Sequence, residues 1–217
     1  MSKKKILPVL VILLILSGGT IGFYYWYQGS HFVKSEDARI QADAYKVMPL
    51  ISAEITHIDV EEGDELLKDE PVAEQDVSGL DSSMINKSVL HAPISGTVIK
   101  VHAKEHEMGT PGQAVVTMAD MNSLYVSANI EETDISRIAA GQLVDVTLDA
   151  AGNRSIQGKV RTIGQATNSV FSLISSVNTS GNYNKVTQRI PIEIELNVPE
   201  GMKLIPGSNV EVKIHTK

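Results

Sequence analysis

Hydrophobic and polar positions divide the chain sharply. From Ile6 to Tyr27 no side chain is charged, and 22 residues at about 1.5 Å each reach roughly 33 Å, enough to cross a hydrocarbon core of about 30 Å. The pattern predicts a transmembrane helix. Lys3, Lys4 and Lys5 on one flank place the N-terminus in the cytoplasm, and Tyr24, Tyr25, Trp26 and Tyr27 form an aromatic belt at the opposite interface. A cleaved signal peptide is the alternative, with Ile6 to Leu16 as its apolar core and Ser17-Gly18-Gly19 near the cut. The apolar run continues through Ile21 and Phe23 into the aromatic cluster, which favours a retained anchor.

Beyond Tyr27 the period falls to two. Ile192-Ile194-Leu196 and Val210-Val212-Ile214 alternate with polar residues and predict half-buried strands. Pro111-Gly112 and Pro206-Gly207 suit type II turns, in which Pro presets the first central φ and Gly accepts a positive second one. One short helix is expected over Glu132 to Ala139, stopped by Gly141. A shift of 43 residues lays Leu50 to Ile55 over Pro93 to Val98 and holds, without gaps, from Ile58/Val101 to Val72/Val115. Two similar β units are implied, with Val60 and Ala103, and Val72 and Val115, on equivalent inward faces. Gly96→Val is expected to destabilise if Gly96 has a positive φ.

Composition narrows the chemistry. The net charge is −7, and with the three N-terminal lysines set apart the remainder carries −10, so a nucleic-acid partner is not expected. Zero cysteine removes disulfides, thiolate zinc sites and thiol nucleophiles. His102 and His106 invite a metal reading, yet the zinc-protease spacing needs Glu directly after the first His on a helix, and Ala103 follows here on an expected strand. Glu61, Glu62, Asp64 and Glu65 read as a solvated acidic turn, and no G-x-S-x-G elbow occurs. No catalytic residue, metal site or cofactor is expected.

Strand, turn, strand, turn, strand in two copies resembles the half-motifs of lipoyl or biotinyl domains. In a carrier the modified Lys would be Lys87, which lacks the neighbours that mark a modification site. The stretches Ser35 to Ala42, Pro49 to Ser52, His91 to Val98, Leu124 to Thr133, Gly141-Gln142, Ser180 to Ile192 and Leu204 to Gly207 together resemble membrane fusion proteins, the periplasmic adaptors of the HlyD and EmrA type. Arg39 stands where that family usually has an aromatic residue, and Ala53 replaces a usual Gly.

The resemblance implies an all-β molecule. Residues 1–5 form a cytoplasmic tail, 6–27 the transmembrane helix, and 28–44 a linker and leading strand. A lipoyl-like barrel-sandwich hybrid follows over 45–76 and 91–120, with a connection over 77–90, and then a β-barrel over 121–217. It implies a non-enzymatic adaptor of an export system, bound to a membrane exporter of the major-facilitator type rather than the ABC type, with a homo-oligomer around the exit path left open. Pro93, Gly96, Gly141, Gln188, Pro191, Pro206 and Gly207 are its backbone-shaping motif positions. Arg189 is a candidate exporter contact, with a structural ion pair as its alternative. Val170, Phe171, Leu173 and Ile174 are the second candidate contact, with packing against the barrel as theirs.

Adaptors that reach an outer-membrane channel carry a long helical hairpin between the half-motifs. The connection 77–90 is too short for one, since two arms of it project only about 10 Å. A cell with a single membrane, most simply a Gram-positive bacterium, follows as the expectation. A free-standing extracytoplasmic binding or sensory module on the same fold is the alternative.

Overall fold

A computed structural model describes residues 3–79, 81–152, 154–171, 187–199 and 201–216, with the side chains of 3–12, 82, 83, 151 and 171 outside that description. The chain forms two compact units, Met1–Ile40 with Tyr125–Lys217, and Gln41–Leu124. It begins with helix α1 (Lys3–His31), and strand β1 (Phe32–Gln41) starts at the next residue. Where the sequence pattern suggested a linker after residue 27, the helix therefore continues for one further turn. Its hydroxyls fold back onto helix carbonyls, Ser17 onto Leu14 at 3.0 Å and Thr20 onto Leu16 at 2.9 Å, which satisfies them without water. Among the described residues no helix is long and apolar enough to cross a membrane. The described side chains from Leu13 to Tyr27 cover about 22 Å, so the span expected over 6–27 rests on sequence beyond that stretch.

The second unit contains β2 (Ala44–Val47), β3 (Ala53–Ile58), β4 (Glu65–Leu66), β5 (Pro71–Gln75), the four-residue helix α2 (Ser82–Ile85), β6 (Val89–His91), β7 (Gly96–Val101), β8 (Met108–Gly109) and β9 (Val116–Ala119). Two four-stranded sheets result, β2-β9-β7-β4 and β6-β5-β3-β8. The 43-residue repeat is visible in the hydrogen bonds themselves. Gly63 N–H donates to Val98 O at 2.8 Å, and His106 N–H donates to Ile55 O at 2.8 Å. Val98 N–H reaches Asp64 O at 2.9 Å, and Ile55 N–H reaches Glu107 O at 2.8 Å. Each half thus lends its short second strand to the other half's sheet: β4 pairs with β7 and β8 with β3. About 30 residues cannot bury a core alone, so the exchange gives both halves one shared interior. Val60, Val72 and Val115 lie in it and Ala103 packs against it, on the inward faces expected.

The turns obey the same shift. Gly63 (φ +102) matches His106 (φ +68), and Gly112 (φ +91) matches Asp69 (φ +69). Pro111-Gly112 closes its turn with Gln113 N–H on Thr110 O at 3.1 Å. Gly96 corrects one expectation, because it is absent from the positive-φ positions. Its constraint is proximity: a Cβ there would lie 2.6 Å from the Ala119 carbonyl oxygen. Pro93 leads into the same strand, in the bend between β6 and β7.

The first unit closes as a six-stranded barrel of β1 with β10 (Tyr125–Glu131), β11 (Leu143–Leu148), β12 (Arg154–Ile163), β13 (Arg189–Leu196) and β14 (Asn209–His215), in the order β1-β10-β13-β12-β11-β14. Alternate residues point inward, with Val126, Ala128, Ile130, Val144, Val146, Ile192, Ile194, Val212 and Ile214 all buried. The registers Phe32↔His215, Val144↔Ile214, Glu131↔Arg189 and Ile163↔Ile192 all lie toward one end of the barrel. Strands β1, β11 and β13 begin at the end that carries α1, and β10, β12 and β14 finish there. Ile40 and Tyr125, where the chain leaves and re-enters this unit, lie at the other end.

The helix expected over 132–139 is only a 3-10 turn, Ile135–Arg137. Ile138 is extended and buried, so its packing outweighs a helix too short to nucleate well. Gly141 does take a left-handed φ of +86°, but it closes the turn into β11, donating to Val160 O at 2.8 Å. Pro206-Gly207 turns before β14, with Gly207 at φ +89° and its N–H on Ile40 O at 2.8 Å. Pro191 is tolerated within β13 because its nitrogen, which cannot donate, lies past the last β12 pair, Ile163↔Ile192, while its carbonyl accepts from Gly164 N–H at 2.8 Å.

Gly96→Ala should lower stability by about 1–3 kcal/mol, since the opposing group is backbone and cannot swing aside. His106→Gly should raise it by up to about 1 kcal/mol by relieving a left-handed residue, the gain being reduced by greater unfolded-chain freedom. Thermal melts of the two variants, moving in opposite directions, check both placements.

Candidate functional site

A β-bulge interrupts the β1–β14 pairing between Ser35 and Ala38. Ser35 Oγ donates to Asn129 O at 2.8 Å and accepts from Asp37 N–H at 3.2 Å, which holds the bulge in shape. Beside it lies an open cavity of about 1000 Å³, lined by Glu36, Asp37, Arg39, Asn129, Glu131, Asp134, Arg189 and Glu211 among others. Its wall is polar and carries more acids than bases.

Arg189, singled out in the sequence, opens β13 on this cavity. Its Nη1 lies 2.6 Å from Asp37 Oδ2, both side chains being nearly half exposed. The ion pair offered as its alternative role is therefore present, at the surface and not inside the barrel, where such a pair contributes about 0–1 kcal/mol. Gln188 precedes it and its carbonyl accepts from Glu132 N–H at 2.9 Å.

Val170 sits in a 3-10 turn, Asn168–Phe171, and is 69% exposed. Asn168 Nδ2 donates to Asn129 Oδ1 at 2.8 Å, so this turn is tied to a residue of the cavity wall. Val170 does not pack against the barrel. The Phe171 side chain, Leu173 and Ile174 lie outside the described residues.

The histidines diverge. His102 Nε2 is 2.9 Å from Thr117 Oγ1, and His106 Nδ1 is 2.9 Å from Glu54 Oε1. The acidic turn is solvated and structural, with Asp64 Oδ2 capping Glu61 N–H at 2.8 Å and Glu62 paired to Lys100 at 2.7 Å. Lys87 is exposed in the turn after α2. Four carboxyls are held below their ordinary range, each by a hydrogen-bond donor: Glu62 by Lys100, Asp76 by Ser78, Glu105 by His57 and Glu193 by Arg161 and Thr162.

Residues 123–215 match the family profile of the AAEA-like beta-barrel domain. The Bacillus subtilis (strain 168) protein named "Putative efflux system component YhbJ" is 35% identical over 86% of this chain and 81% of its own length. The chain belongs to the HlyD/EmrA-type membrane fusion protein family. Members of this family are non-enzymatic adaptors, membrane-associated with extracytoplasmic domains. The colistin resistance protein EmrA of Acinetobacter baumannii is 33% identical over 57% of this chain and 35% of its own length, so the present membrane fusion protein spans about a third of it. The crystal structure of MacA from Actinobacillus actinomycetemcomitans shares the fold, with a TM-score of 0.69 at 16% identity over 86% of this chain and 79% of that one. This membrane fusion protein lacks the large hairpin: among the described residues of 77–90 the only helix is α2.

Asp37 was visible in the sequence only as part of a motif, since nothing pointed to a partner 152 positions away. Arg137 was missed altogether, within a segment read as an isolated helix. It binds the last carbonyls of α1, Gly29 O and Ser30 O, from the barrel.

Glu193→Gln should cost less than about 1 kcal/mol near neutral pH, because the Arg161–Glu193 pair is partly exposed. A carboxyl lowered on folding contributes stability above its unfolded pKa and loses it as pH falls through the folded one. The melting difference between the parent and Glu193→Gln should therefore shrink on acidification below about pH 4 and vanish once both states are protonated.

Proposed function

We propose that this chain is the membrane-anchored adaptor subunit of an efflux system. The observation that carries this reading is the likeness over most of both chains to YhbJ, whose name is "Putative efflux system component". The uncharged run from residue 6 to 27, flanked by lysines and aromatics, supports a single-pass anchor with a cytoplasmic N-terminus and everything after it outside. Residues 45–76 and 91–120 act as a lipoyl-like domain and 121–217, with β1, as the barrel. The likeness to EmrA proteins favours a major-facilitator exporter as partner, and the surface around Arg189 and Val170 is the part of the barrel that meets it. Confinement of both proteins to one membrane raises their effective concentration for each other. The short connection suits a cell with one membrane to cross, and the mechanism is binding and shaping of an exit path, with no bond made or broken.

A free-standing binding module is the second reading, favoured by the same short connection, which leaves no arm for an outer channel. Co-expression with a candidate major-facilitator exporter and affinity purification from membranes separates the two. Recovery of the exporter supports the adaptor, and a chain that never retains it supports the module.

Replacing residues 78–86 by a short Gly linker should leave the melting temperature and export largely unchanged. Arg189→Glu should reduce export several-fold while moving the melting temperature by less than about 4 °C, because the Asp37 pair it breaks is exposed. Export assays paired with melts check both, and an Arg189→Glu variant with full export would remove Arg189 from the contact.

A further inference from the structure

The last carbonyls of a helix have no partner within it, and at α1 those partners come from the barrel. Arg137 Nη2 donates to Gly29 O at 2.7 Å and to Ser30 O at 2.9 Å, and it lies 3.2 Å from Thr216 Oγ1. Its Nη1 is held by Asp134 at 3.1 Å, and Gln142 Nε2 donates to its carbonyl at 3.1 Å, so the guanidinium is fixed from behind. On the other side of the helix end, Thr216 N–H donates to His31 O at 2.8 Å. Phe32 packs edge-on against His215, ring centroids 5.0 Å apart, and Lys213 Nζ stands 3.8 Å from the Phe32 ring centre. A cation at a helix C-terminus also meets the negative end of the helix dipole. The joint between α1 and β1 is thus a clamp of the last turn of α1, the end of β14 and the β10–β11 turn.

Tyr27, the last residue of the aromatic belt, stacks on His31 at 4.1 Å between ring centres, and four residues of helix separate them by about 6 Å. With no coil between α1 and β1, the barrel cannot stand far from the level at which the aromatics end. The β12–β13 connection leaves the barrel at this same end, and Val170, on it, turns a bare apolar side chain outward. We propose that the clamp sets the α1 end of the barrel down on the lipid headgroup layer, with Arg137 as the positioning residue and Val170 held at the level of that layer, where it faces an exporter in the same membrane. This deepens the adaptor reading and rests on its anchored α1.

The chain has no cysteine and one tryptophan, Trp26, which makes the test direct. The full chain is placed in phosphatidylcholine–phosphatidylglycerol nanodiscs with an environment-sensitive fluorophore on a single cysteine, either Val170→Cys or Ser155→Cys at the opposite end of the barrel. A headgroup spin-labelled lipid should quench the label at 170 at least two-fold more than the label at 155. Arg137→Ala should remove most of that difference, Arg137→Lys should restore part of it, and Trp26 quenching by acyl-brominated lipid should be the same in all three. If Arg137→Ala does not fold, judged by its melt, Thr216→Val, which removes the hydroxyl beside Arg137 and Ser30 O and keeps the Thr216 N–H bond to His31 O, loosens the clamp and should give part of the same loss. Quenched Trp26 with equal quenching at 170 and 155 overturns the proposal and leaves the anchor standing. Unquenched Trp26 overturns the anchor and the proposal with it. Unequal quenching that survives both clamp variants overturns the role given to Arg137.

Discussion

The barrel closes only because β1 is held by β14, a strand from the far end of the sequence. Phe32 stands opposite His215 and Arg39 opposite Asn209, and the closure is completed where β1 meets β10. Everything between β1 and β10 is then an insertion, and the second unit must fold as a body whose own ends return to one place. The chain's first described helix and its last described residues meet for the same reason: β1 begins where α1 ends, β14 ends beside it, and Thr216 bonds to His31. Such pairing is non-local and slow to form, so its persistence depends on the buried rows of Val, Ile and Leu that line both units.

The inserted unit solves a smaller version of the same problem. Each half presents short strands that could not hold a core, and the repeat shift makes the two halves equivalent enough to exchange them. The equivalence lies in the backbone and tolerates different side chains: His106 does the work of Gly63, and Asp69 that of Gly112. Gln75 shows what the exchange requires besides apolar contacts. It is buried, and its amide donates to Ala53 O at 3.0 Å, tying β5 to the start of β3 beside the exchanged strand β8.

What the sequence made legible was whatever repeats or alternates. Ile192-Ile194 and Val212-Ile214 announced their inward faces, the 43-residue shift announced paired turns, and Pro-Gly pairs announced where the chain reverses. What it hid depends on meetings between distant positions. The bulge at Ser35 has no local signal, because it exists only against β14, and Arg189 shows its partner only once β1 and β13 flank β10. Residues 132–139 looked helical because acids, Ile135 and Ile138 lie at helical spacing, and the burial of Ile138 decided otherwise. Gly96 was rightly singled out for a wrong reason, since a close approach to Ala119 leaves no more trace in sequence than a positive φ does.

The carboxyls whose pKa is displaced, Glu62, Asp76, Glu105 and Glu193, are not among the residues that line the cavity. A carboxylate serving as general acid at neutral pH must be raised by burial or by a like charge. All four are lowered, three of them by a donor that fastens one strand or turn to another, Lys100 to the turn of Glu62, His57 to that of Glu105 and Arg161 to the strand of Glu193, and Asp76 by Ser78 within its own turn. Their charges therefore act as fasteners and stay ionised across the physiological range. Arg189 and Asp37 are paired at the surface, where exchanging one partner for a group on another protein costs little desolvation. Such a pair can open and close again without disturbing the apolar interior behind it.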